Sequence, residues 1–308
     1  MENCNDTKNL ESEYMSSEQF FKITVGFSVV TYLFSILLST PLLFLILKTP
    51  SLRRKFRYIL LVNLLVCDNL QLLLFTVHFS ISAFQVGSSI IQCFISTTFS
   101  FGFCLVDIFF ITALGIDRCI AIKWPLHYEA ILSSGRKATL VFMIWGLSMA
   151  LTIVALFLSV SSITCTFTVK RCLPILFSRC FLESDAYFGF KKILTAMLFL
   201  GSYTCIFLCF VILCWDIRIF LKTQRVWVTI TLQGLQLIFY SVPVLMRYFL
   251  TQYIENKDGA ELAIEALFDL GLSLIPLVYG CRSAELHILM SQLCYLLPLS
   301  KNQIQPHV

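Results

Sequence analysis

Charge is scarce in this chain. Only 13% of its 308 residues are Asp, Glu, Lys or Arg, about half the share of an ordinary soluble protein. A water-soluble globule of this size needs polar cover on its exterior. A chain that is 58% hydrophobic, with mean hydropathy +0.83, cannot supply it. Disorder is excluded on the same ground. With 12 Gly and 8 Pro, collagen-like and low-complexity chains are excluded too. Catalytic signatures are also missing: there is no His-Glu-x-x-His, Gly-x-Ser-x-Gly, phosphate loop or Cys-x-x-Cys. This points away from an enzyme. The four histidines, His78, His127, His287 and His307, are scattered along the chain, so no metal centre is expected. No internal repeat suggests a transporter built from paired halves. The class that remains is a polytopic membrane protein.

Uncharged stretches mark the crossings. Residues 23–47, 138–169, 193–215 and 226–246 contain no charge, and a helical crossing takes roughly 20 residues. The region 58–122 divides at Gly87-Ser88-Ser89 into spans of about 58–84 and 91–120, and a last span covers about 260–281. The expected fold is therefore all-α, with seven transmembrane helices. Membrane-barrel strands would alternate polar and apolar residues, and these runs do not.

Residues 1–22 carry Glu2, Asp6, Glu11, Glu13 and Glu18 without an apolar core, so no cleavable signal is expected and the first span inserts the chain. Lys48, Arg53, Arg54, Lys55 and Arg57 follow that span, which places its end in the cytoplasm and the N-terminus outside. On this topology the inner side holds 14 Lys/Arg against 4 Asp/Glu, and the outer side 9 against 11. The net charge of +5 thus reflects membrane orientation rather than nucleic-acid binding. Three segments are expected: an extracellular tail (1–22), a seven-span domain (23–281) and a cytoplasmic end (282–308). In that end Leu286, Leu289, Met290, Leu293 and Cys294 follow helical spacing, which suits a short amphipathic helix against membrane lipid, with Cys294 placed for palmitoylation.

Asn5-Asp6-Thr7 is a glycosylation signal. Most of the 13 cysteines lie in spans, where Cys acts as a small hydrophobe. Cys93 sits at the outer end of span three, and Cys165, Cys172 and Cys180 crowd the loop of about 162–190 on the oxidising side. A bridge from Cys93 to that loop is expected, with Cys172 and Cys180 farther from the membrane than Cys165.

Several residues then fall at mutually consistent places. Cys93 precedes Arg118 by one membrane crossing. Asp117-Arg118-Cys119, followed by Trp124-Pro125-Leu126, is similar to an Asp-Arg-Tyr motif with the Pro-Leu of a second inner loop. Asn63-Leu64 with Asp68 is similar to Asn-Leu-x-x-x-Asp of span two, and Trp145 to the lone Trp of span four. Tyr240-Ser-Val-Pro243 stands where Cys-Trp-x-Pro would be, and Ile275-Pro276-Leu-Val-Tyr279 where Asn-Pro-x-x-Tyr would be. Together these resemble the rhodopsin-like (class A) G-protein-coupled receptors over roughly 30–294. The stretches Phe56–Leu65 and Pro276–Arg282 look most like fish-type odorant receptors. Departures are plain: Thr40-Pro41 where span one usually has Asn, Cys119 for Tyr, Ser241 for Trp and Ile275 for Asn. Only Lys222-Thr-Gln-Arg225 separates spans five and six.

The resemblance implies a plasma-membrane receptor that binds a small odorant-like molecule and signals through a heterotrimeric G protein. Alternatives are a drifted receptor with weak or no coupling and a polytopic transporter or proton-coupled membrane protein. Asp117, Arg118, Pro125, Pro243, Pro276 and Tyr279 are the implied switch residues. Arg118 rests beside Asp117, and the prolines permit kinks. Asp68 looks like the family's sodium-site aspartate, and Asp107 falls at the depth of a serine facing that site. Two carboxylates in one cavity must hold a proton or a cation between them, so a sodium ion is the one cofactor to consider. The outward-facing ligand cavity is expected to be lined by Ser100, Phe101, Cys104, Tyr240, Val244, Tyr248, Glu265 and Phe268.

Overall fold

The computed structural model describes residues 17–83, 88–161, 168–169, 185–219 and 257–282, with Ile238 and Val242. Helix α1 (Ser17–Lys48) is followed by a single turn, α2 (Pro50–Arg53), and by α3 (Phe56–Ala83). A two-residue strand β1 (Ser88–Ser89) leads into α4 (Ile90–Lys123), the four-residue α5 (Tyr128–Ile131) and α6 (Ser134–Ser161). Strand β2 (Thr168–Val169), α7 (Asp185–Ile219) and α8 (Lys257–Arg282) complete the described chain. The stretch expected to hold span six lies outside the described residues.

Four of these helices are long and apolar enough to cross a membrane: Lys22–Lys48, Phe56–Ile81, Thr98–Ala121 and Gly135–Leu158. A shorter apolar run, Ala196–Cys209, lies within α7. The uncharged stretch 138–169 is not one helix. Its helix begins earlier, at Ser134, and stops at Ser161, and its far end supplies β2 instead. The two strands pair antiparallel, Ser88 with Val169 and Ser89 with Thr168.

The packing is inverted relative to a soluble bundle. On α1, Thr24, Ser28, Thr31, Ser35 and Ser39 are buried, while Val30, Leu33, Leu37, Phe44 and Leu47 are exposed. The buried residues recur at three- and four-residue steps, so they form one stripe. Small hydroxyl residues let backbones approach, and the outward apolar face suits lipid. Phe142 and Phe157 on α6, and Met197, Leu200 and Phe207 on α7, likewise face outward.

The core forms where α3 packs against α1 and α4. It contains Leu42, Ile46, Leu60, Leu64, Leu65, Val106, Phe110, Ile111 and Leu114. Polar side chains fix the register of these helices. Ser35 donates to Asn69 Oδ1 at 3.2 Å, and Asn69 Nδ2 donates to Ser39 Oγ at 2.9 Å. These two serines tie α1 to α3 in a chain that lacks the usual span-one Asn. Trp145 Nε1 donates to Asn63 Oδ1 at 3.1 Å, joining α6 to α3, and its ring meets Phe110 edge-on at 6.1 Å. At Gly102 the backbone of α4 passes so close to α6 that an added Cβ would lie 2.5 Å from Thr152 Oγ1.

Candidate functional site

Midway along the bundle, Asp68 of α3 and Asp107 of α4 are wholly buried, each 0% exposed. They are close enough to interact electrostatically, and Cys67 lies beside both. None of their four carboxylate oxygens accepts a hydrogen bond among the described residues, and Gln71 Oε1 accepts none either. Cys67 donates to the Phe103 carbonyl at 3.7 Å, and Gln71 Nε2 donates to Cys104 Sγ at 3.3 Å. The polar atoms left over are therefore all acceptors. An oxygen-rich pocket of this kind is costly when empty of positive charge. It fits a proton or a small hard cation such as sodium. Among the described residues no three His, Cys, Asp or Glu side chains converge on one metal position.

Toward the Glu265 end, α3 connects the expected ligand-lining groups. Gln71 and Phe75 lie one turn apart on α3, so they share a face. Gln71 touches Cys104 of α4, and the Phe75 ring meets Phe268 of α8 edge-on at 6.1 Å. Phe79 stacks on Phe75 at 6.2 Å and is met edge-on by His78. Ser100, Phe101 and Cys104 are half-buried, while Glu265 and Phe268 are buried. Tyr240, Val244 and Tyr248 lie outside the described residues. Sequence reasoning missed Phe75, Phe79 and His78. The four-residue step between the two phenylalanines was the available signal. Nearby, Asp269 of α8 accepts a 2.9 Å hydrogen bond from Ser28 Oγ, and Thr76 donates to the Ser28 carbonyl at 3.3 Å. Three helices thus meet at one serine.

At the Arg118 end, Asp117 is buried and accepts a 2.6 Å hydrogen bond from the Tyr128 hydroxyl. The expected neighbour Arg118 adds positive charge beside it, as do Arg57 and Lys137. The short bond to α5 was not anticipated. It depends on the turn after α4, where His127 N donates to the Trp124 carbonyl at 3.2 Å and Ile131 N to the His127 carbonyl at 2.9 Å. Pro125 lies exposed in that turn. Burial, and then the adjacent Asp117 carboxylate, push the Tyr128 phenol well above its ordinary value. Lys137 donates to the Arg54 carbonyl at 3.3 Å and lies 3.6 Å from Glu129. Because Glu129 is 80% exposed, that ion pair contributes little. Arg57 donates to Tyr58 Oη at 3.0 Å and lies over the Tyr58 ring.

Pro276 is buried within α8. Tyr279 belongs to the same helix and Cys93 to α4, although their side chains are outside the described set. Asn5, Cys172, Cys180, Pro243 and Cys294 also lie outside the described residues.

No curated protein matches the chain. The family model of the seven-transmembrane receptors of the rhodopsin family matches residues 40–231. That match takes in more than half of the chain, including the Asp68–Asp107 pair and the Asp117–Tyr128 bond, and the chain belongs to the rhodopsin family of seven-transmembrane receptors, multi-pass proteins of the membrane.

Proposed function

We propose that the chain is an odorant-type receptor of the plasma membrane, with its N-terminus outside. It binds a small, mostly apolar molecule at the Glu265 end and signals at the Arg118 end through a heterotrimeric G protein. The observation that carries this reading is the inner-rim assembly, in which a buried carboxylate beside Arg118 is held by a tyrosine from the following loop. Such an assembly stabilises one arrangement of α4 and α5. Its release would free Arg118 for a partner, which is what a two-state switch requires. The aromatic character of Phe75, Phe79, Phe101 and Phe268 supports an apolar ligand. Glu265 supplies one polar anchor among them.

Asp68 and Asp107 act in this reading as an ion or proton site whose occupancy biases the same switch. When bound, a sodium ion would supply the positive charge that their oxygens lack. The β1–β2 pairing brings the loop that carries Cys165, Cys172 and Cys180 beside the chain leading into Cys93, which supports a disulfide from Cys93 to that loop. In this reading residues 282–308 form a cytoplasmic end that meets lipid and carries the Cys294 acyl site.

The test is an odorant panel on cells expressing the chain, with second-messenger concentration as readout. A ligand-dependent change that disappears in Arg118→Ala at equal surface expression supports the proposal. Silence across the panel, together with substrate-dependent proton flux into vesicles that carry the chain, would favour the proton-coupled transporter that the buried acid pair also suits.

A further inference from the structure

The corner between α1 and α3 concentrates positive charge. Lys48, Arg53, Arg54, Lys55 and Arg57 follow one another closely there, and no acid occurs between Glu18 and Asp68. The corner is held from several sides. Thr49 N donates to the Leu45 carbonyl and Arg53 N to the Thr49 carbonyl, each at 3.1 Å. Leu52 and Phe56 are buried beneath it. Lys137 of α6, itself 7% exposed, donates to the Arg54 carbonyl at 3.3 Å. The side chains of Lys48, Arg53 and Arg54 stay exposed. Among the described residues no carboxylate lies within ion-pair distance of these three. Neighbouring cations are engaged within the protein. Arg57 bonds Tyr58, Arg136 donates to the Ala130 and Ile131 carbonyls, and Lys137 pairs with Glu129.

An apolar surface runs directly into these cations. Lys48 Nζ lies over the Phe44 ring, 5.4 Å from its centroid. Phe44 and Leu47 are exposed on the last turn of a helix long and apolar enough to cross a membrane. A lysine laid back along such a helix keeps its stem on apolar surface and its charge at the polar boundary.

We propose that this corner binds the headgroup of a polyanionic phospholipid of the phosphoinositide class, with the acyl chains along Phe44 and Leu47. Clusters of Lys and Arg beside a transmembrane helix attract such lipids. Guanidinium groups match phosphate oxygens two at a time, so two adjacent arginines and a lysine suit more than one phosphate. A singly charged headgroup would leave part of that charge unmatched. A soluble phosphate compound would meet the cations but make no use of Phe44 and Leu47. The occupant is therefore a lipid. Its binding bears on the inner-rim latch, because Lys137 holds the Arg54 carbonyl and lies 3.6 Å from Glu129, the residue after Tyr128. In cells this lipid class belongs to the cytoplasmic leaflet, and that step rests on the orientation proposed above.

The test uses the full-length chain in phosphatidylcholine nanodiscs doped with phosphatidylinositol bisphosphate that carries a diazirine beside its glycerol. After irradiation, labelled peptides are mapped by mass spectrometry, and affinity is read from the lipid concentration that half-saturates labelling. The expected label falls on the peptide from Phe44 to Lys55. Each cation removed should weaken binding by about fivefold, so Arg53→Gln/Arg54→Gln should lose about 30-fold. Arg53→Lys/Arg54→Lys keeps the charge and should stay near wild type. Lys123→Gln removes a cation that lies over Trp124 instead, and should change affinity by less than about twofold. Soluble inositol trisphosphate should compete only at far higher concentration than the lipid. Label spread evenly over the other apolar helices of the wild-type protein overturns the proposal, and this needs no variant. Equal affinity of the Gln pair and the wild type overturns it as well, as does inositol trisphosphate that competes at the lipid's own concentration. The readout uses neither signalling nor orientation in a cell, so a chain that proves not to be an odorant receptor leaves this result standing.

Discussion

Replacing Tyr128 with Phe removes one oxygen and leaves the ring. That oxygen donates a 2.6 Å hydrogen bond to Asp117, a distance in the range of charge-assisted O–H···O⁻ bonds. Hydrogen bonds to charged groups contribute about 1.5–3 kcal/mol. Asp117 is buried, so water cannot freely replace the lost donor. Arg118, Arg57 and Lys137 still surround the carboxylate with positive charge, which places the expected loss toward the lower half of that range. At about 1.4 kcal/mol per tenfold, roughly 1.5–2 kcal/mol shifts the balance between resting and released arrangements by about 10- to 30-fold. Basal second-messenger production in Tyr128→Phe should rise accordingly at equal surface expression, and the thermal midpoint of the ligand-free protein should fall.

The Tyr128 phenol stays protonated across physiological pH. It is neutral when protonated, and its folded value lies above its ordinary one. Its side of the bond is therefore in place below the unfolded value of about 10 and is lost only as pH rises through the higher folded value. Phenol ionisation adds no pH dependence to the ratio of mutant to wild-type basal signal from about pH 6 to 8. Asp117→Asn should act in the same direction, and the double mutant should fall short of the sum, because both changes remove one interaction. Wild-type basal signal and wild-type melting in Tyr128→Phe would refute the reasoning, as would strict additivity with Asp117→Asn.

Three further outcomes are expected. Asp68→Asn and Asp107→Asn should be non-additive in thermal midpoint by about 0.5–3 kcal/mol, and either alone should abolish any sodium dependence of that midpoint; simple additivity would mean that they share no site. Gly102→Ala should destabilise the receptor by about 1–3 kcal/mol through overpacking against Thr152, with recovery in the Gly102→Ala, Thr152→Ala pair, and an unchanged melting curve for the single mutant would show that the helices yield freely. Asn5→Gln should remove a glycan-sized mass on gels of surface-expressed protein, and the absence of any shift would argue against an extracellular N-terminus.

Much of the bundle could be read from charge spacing, because the hydrocarbon interior tolerates few charges and the gaps between them mark the helices. The seam between α3 and its neighbours was partly legible for a similar reason. Asn63, Asp68, Asp107 and Trp145 are polar groups in apolar runs, and such groups face protein rather than lipid. The structure places them there, with Trp145 on Asn63 and Asp68 near Asp107. What could not be read was pairing across distance. Ser28 and Asp269 are 241 residues apart, and nothing in either local sequence names the other. Tyr128 was hidden differently, since its aim at Asp117 depends on the turn through Trp124 and His127 rather than on any helical period. The end of the helix at Ser161 was invisible because the uncharged stretch continues past it and forms β2.

The placement of polar groups along α3 explains how events at one end can reach the other. Water does not compete for donors inside the bilayer, so hydrogen bonds between spans hold helices together where apolar burial cannot. On α3 and its neighbours these bonds come in layers. Thr76 reaches the Ser28 carbonyl, whose hydroxyl serves Asp269. Asn69 holds Ser35 and Ser39, Asp68 adjoins Asp107, and Asn63 receives Trp145. In three of these layers Asp269, Asn69 and Asn63 each accept a hydrogen bond from a neighbouring helix. The Asp68–Asp107 layer is the exception, with acceptors only. It is therefore the one whose energy depends on something that can come and go, a proton or a cation. In the proposed reading, loading that layer draws α3 toward α4, and α4 carries Asp117 and Arg118 two to three turns further on. A ligand that repositions Phe75 or Phe268 acts on the same helix one to two turns from Asp68. The acid pair thus lies between the aromatic cluster and the tyrosine latch, where its occupancy can bias both.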